Sequence, residues 1–270
     1  MLNRLWVAML THNTRDAGTD SPTMIIINQY GIDRLHHTFL DTAQRDQEQG
    51  EANLYGINVV GPVDPDHLTD SSVRVAIRGD NLWEPEHYVV WGEQPQEPRV
   101  VPIAIETDMN MGLSTDRREG HLSLPLRLVD LGSSEMGISR LLMLMTTADV
   151  ENAGTDDTIE LQITDAAGSI IVDYDVPDTP QQDQERAQAN FYFVPVGSRF
   201  TKNDLNAGSI RLRIQGSDAW LPQSFFLFGL DGAAGRPGSL VPLVHIPNWT
   251  LGWMSTDPGE GESSVILPQV

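Results

Sequence analysis

The chain has 270 residues, enough for one large domain or for two of roughly 130 residues that each bury a core. Its 38 acidic and 17 basic residues give a net charge of −21, with Lys202 as the lone lysine, so its surface repels phosphate backbones and anionic headgroups, and nucleic acid is not an expected partner. No cysteine is present, which removes disulfides and thiolate-bound zinc, while 23 glycines and 17 prolines favour many short strands over a helical bundle.

The opening MLNRLWVAML is apolar but short and lacks a small-residue cleavage pattern, and no later run approaches 18 apolar residues. It predicts a first strand in a soluble protein, with neither an export signal nor a transmembrane segment. The turn DAGTDS follows at Asp16–Ser21, then DQEQGEANLY from Asp46, then SSVRVAIRGDNLWEP from Ser71. In the last of these Val73, Val75 and Ile77 alternate with polar residues, the mark of a half-buried antiparallel strand. HYVVWGE from His87 is continuously apolar and suits a strand near the middle of a sheet.

The same series then returns. RLLMLM from Arg140 answers RLWVAML from Arg4, and NAGTDD at Asn152–Asp157 answers the first turn, both at an offset of 136. DQERAQANFY from Asp183 and GSIRLRIQGSDAWLP from Gly208 match at 137, and Ser255-Thr256-Asp257 matches Ser114-Thr115-Asp116 at 141. Matches that keep their order while the offset drifts are what loop insertions produce. The chain reads as a tandem duplication, copy one over 1–135 and copy two over 136–270, joined near Asp130–Ser139. The charge is shared evenly, 21 acids against 10 bases in the first half and 17 against 7 in the second. Ile159, Leu161 and Ile163, and again Ile210, Leu212 and Ile214, alternate as Val73–Ile77 do, and NFYFVPV and QSFFLFG supply more central strands. The expected fold is all-β, each copy two stacked antiparallel sheets about 10 Å apart. Helix is confined to a short turn near Asp46 or Asp204.

The succession of apolar first strand, NAGTDD turn, TIELQIT, SIRLRIQGSDAWLP running into SFFLFG, and finally NWTLGWMSTDPGEGE resembles the PLAT/LH2 domain. That eight-stranded β-sandwich accompanies lipoxygenase, pancreatic lipase, polycystin and clostridial alpha-toxin regions. The resemblance covers each half once and is most specific at Gly252–Glu262. Two departures stand out: tryptophan precedes proline in Trp83-Glu84-Pro85 and Trp220-Leu221-Pro222, and copy one has Gly112, or a gap, where copy two has Trp253.

The resemblance implies calcium at the loops of one sandwich end. Calcium takes six to eight oxygens from carboxylates, amides and main-chain carbonyls. Copy one offers Asp16, the carbonyl of Gly18, Thr19 and Asp20, then Asp46 and Glu48, then Asp80 or Asn81. Copy two offers Asn152, Gly154, Thr155 and Asp156, then Asp183 and Glu185, then Asp218. The plain alternative is that Asp, Asn and Gly are what turns prefer. The seven histidines show no zinc-binding spacing, with His36 and His37 on opposite faces of a strand, and no catalytic elbow or phosphate loop appears. Trp83 and Trp220 either cap the core or insert into a membrane or a partner. The chain is therefore expected to be no enzyme but a binding module that engages a protein partner, or a lipid surface peripherally. The alternative is a structural subunit of a filament, shell or virion.

Overall fold

The computed structural model describes residues 1–40, 47–94, 99–177, 184–231 and 238–270. The chain is all-β and sandwich-type, and its strand pairings are antiparallel. Among the described residues there is no α-helix, only two 3-10 turns, at Pro65–His67 and Lys202–Asp204. The second is the turn expected near Asp204, and the one expected near Asp46 lies outside the described residues. Among the described residues no helix is long and apolar enough to cross a membrane. The chain divides into two compact units, one over Met1–Leu131 and one from Gly132 onward.

Unit one contains β1 (Arg4–Thr11), β2 (Thr23–Gln29), β3 (Ile32–Phe39), β4 (Ala52–Asn58), β5 (Val73–Ile77), β6 (Pro85–Gln94), β7 (Arg99–Glu106), β8 (Ser123–Pro125) and the short β9 (Asp130–Leu131). Its neighbours run β7-β6-β1-β4 on one side and β3-β2-β5-β8 on the other. Unit two contains β10 (Ile138–Thr147), β11 (Ile159–Thr164), β12 (Ile170–Asp175), β13 (Ala189–Phe200), β14 (Ile210–Ile214), β15 (Pro222–Leu230), β16 (Ser239–Ile246) and β17 (Ser264–Ile266). Here the runs are β16-β15-β10-β13 and β12-β11-β14-β17, the unit-one order repeated strand for strand.

The repetition extends to irregularities. The register of β1 on β6 slips between Leu10 and Thr11, and that of β10 on β15 slips at the equivalent Thr146 and Thr147. A second slip, between Val90 and Trp91, recurs between Leu227 and Phe228. Each bulge re-aims the chain that follows it, and the first of them delivers a buried threonine to the end of the sheet.

Alternation decides which side chains enter the core. In unit one Leu5, Val7 and Met9 meet Ile25, Ile27, Val73, Val75 and Ile77; in unit two Leu141, Met143 and Met145 meet Ile159, Leu161, Ile163, Ile210, Leu212 and Ile214. Strands β6 and β15 are buried on both faces over most of their length, consistent with their continuous apolar sequence. In β11 one polar position departs from alternation. Glu160 is buried, because Arg213 opposite it on β14 and the Gln215 amide both donate to its carboxylate, at 3.2 and 2.9 Å.

The offset drift is also explained. Hairpin β2–β3 closes through Tyr30 and Gly31, φ 57° and 76°, a two-residue turn of the primed kind that suits strand twist. Hairpin β11–β12 has one more residue, and its Asp165 carboxylate accepts the Ala167 and Ser169 amides at 2.9 and 2.8 Å. A further insertion falls at Gly252, φ 86°, and the others fall between β15 and β16, where residues 232–237 lie outside the described ones.

Trp83 and Trp220 are among the largest fully buried side chains and belong to the two cores, which excludes their insertion into a membrane or partner. Each indole N–H donates to a buried threonine, Trp83 to Thr11 and Trp220 to Thr147, both at 3.0 Å. Replacing either by alanine leaves a cavity and removes the donor to a buried hydroxyl, and is expected to cost about 3–5 kcal/mol by urea denaturation. A loss below about 1 kcal/mol, the range of surface substitutions, would contradict this packing.

Candidate functional site

Three loops of each unit come together at one end of the sheets. In unit one Thr11, at the end of β1, donates to the Gln47 carbonyl at 3.2 Å, and Ala17 accepts the Glu84 amide at 2.9 Å. Thr19 donates to the Asn81 carbonyl at 3.1 Å and accepts the Ser21 amide at 3.1 Å. Unit two repeats each link: Thr147 to the Gln184 carbonyl at 3.0 Å, Leu221 amide to Ala153 at 3.0 Å, Thr155 to the Asp218 carbonyl at 3.2 Å, and Asp157 amide to Thr155 at 3.1 Å. The glycine of each turn is needed for close approach. A Cβ on Gly18 would lie 3.0 Å from the Gln49 amide nitrogen, and one on Gly154 would lie 3.1 Å from that of Arg186.

A fourth loop joins this rim. Ser114 donates to the Asp80 carbonyl at 3.1 Å and Ser255 to the Ser217 carbonyl at 3.3 Å, and each also accepts the amide two residues on. Gly120 and Gly261 are held against the Gly112 and Trp253 carbonyls, where a Cβ would lie 2.6 and 2.5 Å away. The Ser-x-Asp and Glu-Gly positions that carried the resemblance thus hold the loop shut on its neighbours.

The expected calcium residues fall into three groups. Thr19 and Thr155 are buried, and their hydroxyls are engaged within the rim. Asp16 and Asn152 have φ of 63° and 59°, a region that Asp and Asn tolerate better than other non-glycine residues, so the interchange of charge between the copies leaves the backbone requirement satisfied. Asp20, Glu48, Asp80 and Asn81, with Asp156, Glu185 and Asp218, are exposed around the rim. Asp46 and Asp183 lie outside the described residues. In unit two Asp218 is further engaged: its carboxylate accepts the Asp156 amide at 3.2 Å, and its amide donates to Asp157 at 2.6 Å. Asp157 is a rim residue that the motif comparison misses, since Ser21 stands in its place in unit one.

Among the described residues, three donor atoms from His, Asp or Glu lie within 4.8 Å of one another only at Glu86, His87 and Asp108. Among the described residues the rim carboxylates form no such group in either unit. A cation at the rim would therefore draw on main-chain carbonyls and water as well as on these side chains.

The two rims differ in shape. In unit two Glu151, Asn152, Ser217, Asp218, Ala219, Trp253 and Glu260 line a cleft of about 550 Å³. The paired bridges Trp83–Leu113 and Trp220–Met254 place Gly112 opposite Trp253 in the repeat, with no gap. In unit one Leu82 occupies the space at Gly112, where a Cβ would lie 2.5 Å from its Cδ1. Large and small residues have exchanged sides, Leu82 with Gly112 against Ala219 with Trp253. Gly112→Trp alone is expected to cost about 1–3 kcal/mol through overpacking, and adding Leu82→Ala to recover most of it. A double-mutant cycle by chemical denaturation that shows no coupling would refute the exchange.

No family model matches this chain, and no curated protein matches it. Among solved structures it is similar to the alpha toxin from Clostridium absonum, at 20% identity and a TM-score of 0.39. That similarity covers 50% of this chain and 33% of the toxin, so the chain spans about a third of the length of the protein it matches.

Proposed function

We propose that the chain is a non-catalytic binding protein built from two PLAT/LH2-type eight-stranded sandwiches, over 1–135 and 136–270, each presenting an acidic rim that engages a protein or lipid partner with the help of calcium. The observation that carries this reading is the repeated rim. Both units fasten their loops by the same threonine and serine bonds, and both leave carboxylates outside: Asp20, Glu48 and Asp80 in one, Asp156, Glu185 and Asp218 in the other. A rim built on rigid strands holds its main-chain carbonyls in fixed positions, and exposed carboxylates around it concentrate cations. In a chain of net charge −21 a bound divalent ion also lowers the repulsion that an anionic lipid surface would meet.

Calcium at millimolar concentration is expected to raise the melting temperature of the whole chain. Saturation at a hundred times the dissociation constant adds about 2.7 kcal/mol to a site that only the folded state offers. Asp20→Asn with Asp80→Asn should remove the share due to unit one, and Asp156→Asn with Asp218→Asn the share due to unit two. No shift in the parent chain at millimolar calcium overturns the metal part. Light scattering then separates a monomeric binding module from a subunit that assembles by itself.

A further inference from the structure

Unit one carries a group of ionisable side chains that unit two lacks. Strand pairing sets Tyr88 of β6 opposite Glu106 of β7, so Glu86 and Asp108 face each other just beyond the end of the ladder, and the Met109 amide donates to the Glu86 carbonyl at 2.9 Å. His87 lies between them. Its Nε2 is 3.6 Å from Glu86 Oε1, and its Nδ1 accepts the Asp108 amide at 3.2 Å. His12 reaches the same corner through Nε2 to the Met109 carbonyl at 3.1 Å. In unit two the Trp249 amide donates to the Gln223 carbonyl, which makes Gln223, Ser224 and Asn248 the equivalents of Glu86, His87 and Asp108, and Ala148 the equivalent of His12. The sandwich is completed there with neutral residues, so the fold does not require the charged set.

We infer that Glu86, His87 and Asp108 form a binding site for a single transition-metal ion of the zinc class, present in unit one alone. One imidazole and two carboxylates are a donor set suited to zinc rather than to calcium, which prefers oxygen throughout. A tetrahedral ion with ligands about 2.0–2.1 Å away sets its donors about 3.3 Å apart. The 3.6 Å between His87 Nε2 and Glu86 Oε1 nearly meets this, and a carboxylate oxygen of Asp108 lies within 4.8 Å of the other two donors. Asp108 is exposed, so the set meets solvent on that side, and His12 and Met109 line a neighbouring cleft of about 250 Å³.

The ring proton has a definite consequence. Nδ1 accepts from the Asp108 amide, so the neutral ring carries its proton on Nε2, and coordination there moves the proton to Nδ1. The Asp108 amide must then turn away. Reversing the Thr107–Asp108 peptide presents the Thr107 carbonyl to Nδ1, the usual partner of a metal-bound imidazole. It also takes Asp108 from φ 55° to about −125°, an ordinary extended value.

Zinc titrated into the tag-free full chain by calorimetry is expected to show one tight equivalent. The triple substitution Glu86→Gln, His87→Ser and Asp108→Asn installs the residues that unit two accommodates, and should weaken that equivalent by at least about ten-fold. Asp20→Asn with Asp80→Asn should leave it unchanged, which separates this site from the calcium rim. A smaller loss in the triple variant, or no parent equivalent tighter than about 10 μM, overturns the assignment. Nuclear magnetic resonance of the parent chain decides independently of the variant's folding: zinc should move the Asp108 amide and His87 ring signals first, and unmoved signals at one equivalent refute the site.

Discussion

A buried hydrogen-bond relay fixes the end of each unit. In unit one it runs from the Trp83 indole to the Thr11 hydroxyl and on to the Gln47 carbonyl, with the Gln47 amide donating to Tyr55 OH at 2.7 Å. In unit two it runs through Trp220, Thr147, Gln184 and Tyr192 in the same sense. Three loops that are far apart in sequence thus share one threonine, which donates and accepts at once. Because both threonines and both glutamines are buried, a broken link leaves an unpaired polar group away from water, and the loops cannot drift without that cost. Gln47 and Gln184 adopt φ of 53° and 61° to take part, a local strain that the relay holds in place. The outward rim residues stand on this support.

Seen from the relay, the Ala-Gly-Thr-Asp turn is mostly architecture. Ala17 and Ala153 are buried and accept the amide of the third loop, the glycine admits the second loop, and the threonine ties down the third. Only the aspartate, Asp20 or Asp156, is left to the solvent. Such a motif recurs in a duplicated chain because three of its four residues carry the fold, and its return by itself implies no ligand.

Strands, their alternation and the duplication were legible in the sequence because each rests on a period, two residues within a strand and about 137 between copies. Bulges at Leu10 and Val90 were not, since neither slip interrupts the run of buried residues in its strand. The rim was legible as a set of turns but not as a ligand set, because the spacing of Asp20, Glu48 and Asp80 says nothing about where their carboxylates point. Glu86, His87 and Asp108 were hidden for a different reason. Two of them are neighbours in sequence, the third is 22 residues away, and only the register of β6 on β7 brings it back. A signal did exist: set against its own second copy, the chain exchanges Glu, His and Asp for Gln, Ser and Asn at those three positions.

The duplicated chain thus supplies its own control. Where core side chains, bulges and relay agree between the units, the requirement belongs to the sandwich. Where they disagree, the scaffold tolerates both solutions, and the difference is free to serve something else. Disagreement concentrates in the turns and at the loop end: a closed corner at Leu82 and Gly112 against a cleft at Ala219 and Trp253, and an ionisable corner in unit one against a neutral one in unit two. Two rims edged alike with carboxylates differ at two corners, one packed by Leu82 and beside a histidine–carboxylate set, the other opening a cleft at Trp253.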